Sequence, residues 1–160
     1  MPTKQATKSK RETHNDDNVF TEAERAAVAA TARERKAATG RTPEQERAEG
    51  LQDLRDSIAK MPADDRAMAE RIHKLVSTAV PSLMPKTYYG MPAYAREGKD
   101  GKVICFFKPK SKFKVRYSTF GFQPDASLDD GPMWAVEFAV VELTPTVEAQ
   151  LTKLVKKAAG

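Results

Sequence analysis

The chain has 160 residues, 40% hydrophobic and 31% charged, with a formal net charge of +5 and one cysteine. That length fits one ordinary domain with an appendage, and a single thiol excludes an internal disulfide framework or a cysteine metal cage. The longest uncharged run, Leu75 to Pro85, holds two prolines and is too short to span a membrane.

The N-terminus carries no apolar stretch of signal-peptide length, and one thiol suits a reducing compartment, so the expected location is cytoplasmic. Charge is unevenly placed. Residues 86–117 carry nine basic and two acidic side chains, whereas residues 118–160 carry three and six. The positive excess is therefore expected in the folded part rather than in a tail.

Residues 1–18 are polar and lack apolar periodicity, which predicts a disordered tail. Residues 19–41 read as a charged helical arm. Thr21 and Glu24 form a Thr-x-x-Glu capping box, and the run to Ala38 is rich in Ala, Glu and Arg, ending at Gly40. Its apolar side is mostly alanine, so it needs a surface to dock on, its own domain or a second copy.

Residues 42–160 read as the domain. Thr42, Pro43 and Gln45 give an N-cap, a first-position proline and a capping box. Ala48, Leu51, Leu54, Ile58 and Met61 then form one apolar stripe. A second helix is predicted from about Asp64 to Ala79, with Met68, Ile72, Leu75, Val76 and Ala79 inward. After Lys86 the period falls to about two. Strands are predicted at Thr87–Tyr89, Ala93–Arg96, Lys102–Phe107, Phe113–Ser118 and Trp134–Val141, separated by Gly- and Pro-bearing turns. Thr144-Pro145 opens a last helix with Val147, Leu151, Leu154 and Val155 inward. Hairpin-linked strands between grouped helices imply an α+β fold. The expected architecture is an antiparallel four- to five-stranded sheet with helices packed on one face, plus the N-terminal arm.

Several runs resemble the YdhG-like family of domains of unknown function. They include Met61 to His73, Pro85 to Tyr94 with Tyr89-Gly90-Met91-Pro92-Ala93-Tyr94 at its centre, Val103 to Phe107, Lys112-Phe113-Lys114, Leu128 to Gly131 and Leu154 to Lys157. The resemblance covers roughly residues 44–158. It implies similarity to the frataxin-like group, whose fold is an antiparallel sheet backed by helices. Some relatives are called iron chaperones, so the resemblance admits iron binding, although it carries no ligand set onto numbered positions.

Four constellations bear on chemistry. His73 and Cys105 are the sole pairing of a base with a nucleophile in the domain, and Cys105 sits between Ile104 and Phe106 in a predicted buried strand. The expectation is therefore a non-enzymatic domain with no tightly bound cofactor. Glu46, Glu49, Asp53 and Asp56 fall on one helix face opposite the Leu51/Leu54/Ile58 stripe. Such an all-oxygen ridge can hold a hard cation, iron included, weakly; the plainer and favoured reading is a solvated face with Lys60 neutralising Asp56.

Lys112, Lys114 and Arg116 alternate with Phe113, Val115 and Tyr117, so a strand would align the cations in a row extended by Lys110. That row can take phosphates of an anionic partner or a nucleic acid, or simply protect a sheet edge, which is the favoured reading. Finally, Tyr88, Tyr89, Tyr94 and Trp134, beside the Gly90-Met91-Pro92 kink, are the expected lining of a ligand groove, with Phe120 and Phe122 in the same aromatic cluster. The leading expectation is a small intracellular binding domain that handles iron. The alternative is an anion- or nucleic-acid-binding module. Either would be a monomer or weak homodimer without membrane contact, with an unidentified protein partner or metal acceptor.

Overall fold

Each of the first two helices starts where a threonine can cap it. In the computed structural model, which describes residues 21–37, 41–98 and 100–160, α1 spans Glu22–Ala37. Thr21 Oγ1 accepts from the Glu24 N–H at 3.2 Å, and Glu24 Oε2 accepts from the Thr21 N–H at 2.9 Å. Thr42 and Gln45 repeat this reciprocal box at the start of α2, Pro43–Ala59. It satisfies two main-chain donors that a bare helix end leaves open. α3, Ala63–Ala79, follows Pro62 without a side-chain cap. The expected tail at residues 1–18 lies outside the described residues, as does Gly40.

Five strands follow. They are β1 Met84–Tyr88, β2 Met91–Ala95, β3 Val103–Lys108, β4 Ser118–Phe122 and β5 Glu137–Val140, with a single helical turn, α4 Lys110–Phe113, between β3 and β4. They pair antiparallel in simple sequence order. α5, Pro145–Ala159, is capped by Thr144, whose Oγ1 accepts from the Val147 N–H. The fold is α+β, as the grouping of periods implies.

Strand alternation sorts the side chains. Tyr94, Cys105, Phe107, Phe120 and Phe122 point to one side and pack with Leu54 and Ile58 of α2, Ile72 and Val76 of α3, and Leu151 and Val155 of α5. Ile104 joins them through a bulge. Tyr94 pairs with Cys105 but Ala95 pairs with Val103, so Ile104 is the extra residue. The other side carries a smaller core of Met91, Ala93 and Phe106, against which Tyr88, Tyr89 and Phe113 pack. Phe106 lies across Gly121, its cross-strand partner; a Cβ there would meet the ring, 2.8 Å from Cε1.

Helix ends are closed by arginines. Arg47 donates to the carbonyls of Pro81, Ser82 and Leu83 beyond α3. Arg96 donates to those of Ala158 and Ala159 at the end of α5. α1 packs against β1 and α4, and Ala27 is buried there at 4% exposure. The arm thus docks on its own domain, through the small residues that sequence marks as its apolar side.

Three expectations are corrected. The predicted strand Phe113–Ser118 does not form. Lys110–Phe113 is a helical turn, and Lys114 ends it in the left-handed region at φ 53°. The Lys110 N–H donates to Ser118 Oγ at 3.0 Å, which folds the segment back on itself. Trp134–Val141 is a strand only over Glu137–Val140, with Trp134 in the preceding loop. Ala48, placed on the inner stripe, is exposed, because α2 turns Gly50, Leu54 and Ile58 inward instead.

Candidate functional site

The β1–β2 connection is a two-residue turn in which Tyr89 and Gly90 both have positive φ, 50° and 74°. That conformation suits the twist of a tight hairpin but strains a tyrosine. The surroundings hold both of its carbonyls. Lys112 Nζ donates to Tyr89 O at 2.9 Å, and Ser57 Oγ donates to Gly90 O at 3.1 Å. Helices α2 and α4 are thereby tied to the turn from two sides.

Between these elements lies a cleft of about 630 Å³. α2 supplies Asp53, Asp56 and Ser57, and its C-cap supplies Lys60, to one wall, at a spacing that keeps them on one helix side. α1 supplies Ala30 and Arg33, α4 supplies Ser111 and Lys112, and Thr87 and Gly90 come from the hairpin. Asp65 of α3 also lines it, together with the apolar Met61, Pro62 and Pro109. Asp65 is only 2% exposed, and its Oδ2 accepts from the Ser111 N–H at 3.1 Å. The cleft thus gathers three carboxylates and three cations from four helices.

The acidic ridge is split by its surroundings. Its ends are ten residues apart, about 15 Å along the axis. Glu49 pairs with Arg41, and Asp56 accepts from Gln52 Nε2 at 2.8 Å. Asp53 and Asp56 line the cleft, while Glu46 and Glu49 do not. Partial burial, then the nearby Asp56 and Glu49 charges, push the Asp53 carboxyl above its usual range despite a smaller opposing effect from Arg41. Among the described residues, no three His, Cys, Asp or Glu side chains gather closely enough to hold a metal ion.

The expected anion row is dispersed because its strand is absent. Lys112 lines the cleft, Lys110 and Arg116 border a second hollow near the start of β4, and Lys114 caps α4. The expected aromatic groove also separates. Tyr94 is 1% exposed in the main core, where its hydroxyl lies 3.1 Å from His73 Nδ1. Tyr88 and Tyr89 meet edge to face on the opposite side of the sheet. Trp134 precedes β5, at the far edge of the sheet from β1, about 19 Å across four strand spacings. The kink at Gly90 does border a concavity, but polar side chains rather than these aromatics line it.

Arg33, Ser57, Lys60 and Asp65 were not singled out as site residues by sequence. Asp65 left a signal. It precedes Met68, Ala69 and Ile72 at helical spacing, so an acid stands on an apolar stripe. Cys105 is fully buried, and burial pushes its thiol up to about 12, which removes it as a nucleophile at neutral pH. No helix among the described residues is long and apolar enough to cross a membrane.

The geometry defines an α+β domain with a mixed-charge cleft under a docked N-terminal helix. Comparison with known proteins adds no relative: no family model, curated protein or solved structure matches the chain.

Proposed function

We propose that the chain is a non-enzymatic binding domain whose ligand is a small zwitterion, such as a free α-amino acid, held in the cleft between α1, α2 and α4. The observation that carries this reading is the arrangement of charge. Asp53 and Asp56 stand on the α2 wall, and Arg33 and Lys112 come from the α1 and α4 walls of one 630 Å³ space. A ligand with both charges can pair with both sets, whereas a singly charged one leaves half of the lining opposed. The inaccessible Cys105 supports the non-enzymatic part. Titrating free α-amino acids into ¹⁵N-labelled protein should move the Gly90 and Ser111 amide resonances, and Asp56→Asn with Arg33→Met should abolish the shifts. Unmoved cleft amides across the whole set of amino acids would remove this reading.

A second reading is ferrous iron on the cleft end of the acidic ridge, in keeping with the YdhG-like, frataxin-similar resemblance. It is favoured by the raised Asp53 carboxyl, since a cation relieves crowded carboxylates. Anaerobic calorimetry compares the protein with an Asp53→Asn/Asp56→Asn variant; equal heats exclude this reading. The anion- or nucleic-acid-binding alternative rested on one aligned strand, and no strand here carries that row.

A further inference from the structure

The side of α2 that faces away from the cleft meets α3 around a second concavity. At 100° per residue, Arg55, Ile58 and Ala59 lie on the far side of the helix from Asp53, Asp56 and Ser57. With Arg66, Glu70 and His73 of α3 they line a hollow of about 420 Å³. The three α3 residues follow steps of four and three, which stacks them on one helix face. Arg55 and Arg66 are exposed, and among the described residues neither guanidinium makes an ion pair. Glu70 is the one carboxylate in the lining, against two arginines.

His73 supplies a third donor. Its Nδ1 lies 3.1 Å from the Tyr94 hydroxyl and 3.4 Å from Ser77 Oγ. Tyr94 is 1% exposed, so its O–H must donate to the partner it has. Nδ1 is then an acceptor, and the neutral ring carries its proton on Nε2, on the edge turned away from Tyr94. Burial first, and then Arg55, lower the His73 pKa. The Arg55 contribution is repulsion between like charges, which a bound anion relieves.

We propose that this hollow is a binding site for a small phosphomonoester. Arg55 and Arg66 pair with the phosphate from α2 and α3, the His73 Nε2–H donates to a further oxygen, and the ester group lies along Ile58 and Ala59. Planar guanidinia suit phosphate because each can donate to two oxygens at once. The volume is more than a bare phosphate fills and falls in the range of small organic ligands. The site shares no residue with the cleft, so it stands whether or not the cleft holds a zwitterion.

The test is ¹H–¹⁵N spectroscopy of the imidazole rings of the full chain during titration with phenyl phosphate, at constant pH and ionic strength. The spectrum of His73→Gln assigns the His73 ring. Its Nε2 resonance should shift and saturate. Arg55→Met and Arg66→Met, both at exposed positions, should each weaken binding at least about tenfold, the loss expected for one charge-assisted hydrogen bond. Inorganic phosphate should bind more weakly than phenyl phosphate, because it leaves Ile58 and Ala59 uncovered. A His73 resonance that drifts without saturating, an affinity unchanged by either arginine variant, or equal affinity for the two probes overturns the proposal.

Discussion

Lys112 reaches from α4 to the β1–β2 turn and donates from Nζ to the carbonyl of Tyr89 at 2.9 Å. The acceptor belongs to a non-glycine residue at φ 50°, a conformation that costs about 1–2 kcal/mol. The same ammonium lies 5.7 Å from the Phe113 ring centroid. One side chain of the cleft thus also holds the strained corner that shapes it. Lys112→Met should lower stability by about 1.5 kcal/mol, the lower end for a hydrogen bond to a charged group because the lysine is only half-buried. Urea unfolding measures the loss. An unchanged midpoint would show that the turn holds without it.

Gly50 sets a helix preference against packing. Ala is better than Gly in a helix interior by about 1 kcal/mol. However, a Cβ at Gly50 meets the main-chain carbonyl of Pro85, which cannot rotate away as a side chain can. α2 must then lift off β1. Gly50→Ala should destabilise by about 1–3 kcal/mol net, the range for an overpacked contact. A gain in stability would show that α2 has room to slide.

Asp53 is expected to work against the fold. Burial and its neighbours Asp56 and Glu49 raise its pKa, so the folded state binds its proton more tightly than the unfolded chain does. The resulting penalty is present above the folded pKa and disappears as pH falls below the unfolded value. Asp53→Asn should therefore stabilise at pH 7 by about 0.2–0.5 kcal/mol, as for one like-charge helix pair. The difference should vanish in acid. A variant equal to wild type at pH 7 would sink the argument.

How much of this was legible in sequence depended on how local the signal was. Thr21, Thr42 and Thr144 announce helix starts because a cap is decided within four residues. The antiparallel character of the sheet followed from the Gly- and Pro-bearing turns between the strands. The Phe113–Ser118 alternation misled because Phe113 reaches an apolar surface from a helical turn as readily as from a strand, and Ser118 Oγ, eight residues away, holds that turn's start. The aromatic groove misled for a different reason. Tyr88 and Tyr94 lie six residues apart, but the two-residue turn between them shifts the phase, so they face opposite sides of the sheet. The cleft joins residues from Ala30 to Lys112, and no window of sequence shows that meeting.

His73 makes stability pH-dependent in the opposite sense to Asp53. Burial first, and then Arg55, lower its pKa, while Nδ1 contacts the Tyr94 hydroxyl and the rings stack at 5.9 Å. The unfolded chain binds the proton more readily, so stability contributed by neutral His73 is full above about pH 6.5. It declines as pH falls from there through the lower folded value. Wild-type protein should lose stability between pH 7.5 and 5.5 in urea melts, and His73→Gln should lose less.

Cys105 should be silent to thiol reagents in the native state. It is 0% exposed, its thiol is pushed up to about 12 by burial, and it stands on a central strand behind α2, α3 and α5. Reaction with a disulfide reagent then requires that core to open, so labelling should track global unfolding. Urea at concentrations below the transition should accelerate it in proportion to the unfolded fraction. Rapid labelling without denaturant would show a local opening of β3 instead.

Docking of α1 rests on very little apolar surface, and one charge should undo it. Ala27 is 4% exposed where the helix meets the domain, and its neighbour along that side, Ala30, borders the cleft. Ala27→Asp puts a carboxylate at a buried contact, which costs more than an alanine stripe returns. The helix should release while the core beneath, built from α2, α3, α5 and the sheet, keeps its urea midpoint. Limited proteolysis should then cut within residues 21–37 much faster than in wild type. If cleavage there is unchanged, α1 is held by contacts other than Ala27. If the core midpoint falls with it, the arm is an integral part of the fold rather than a cover over the cleft.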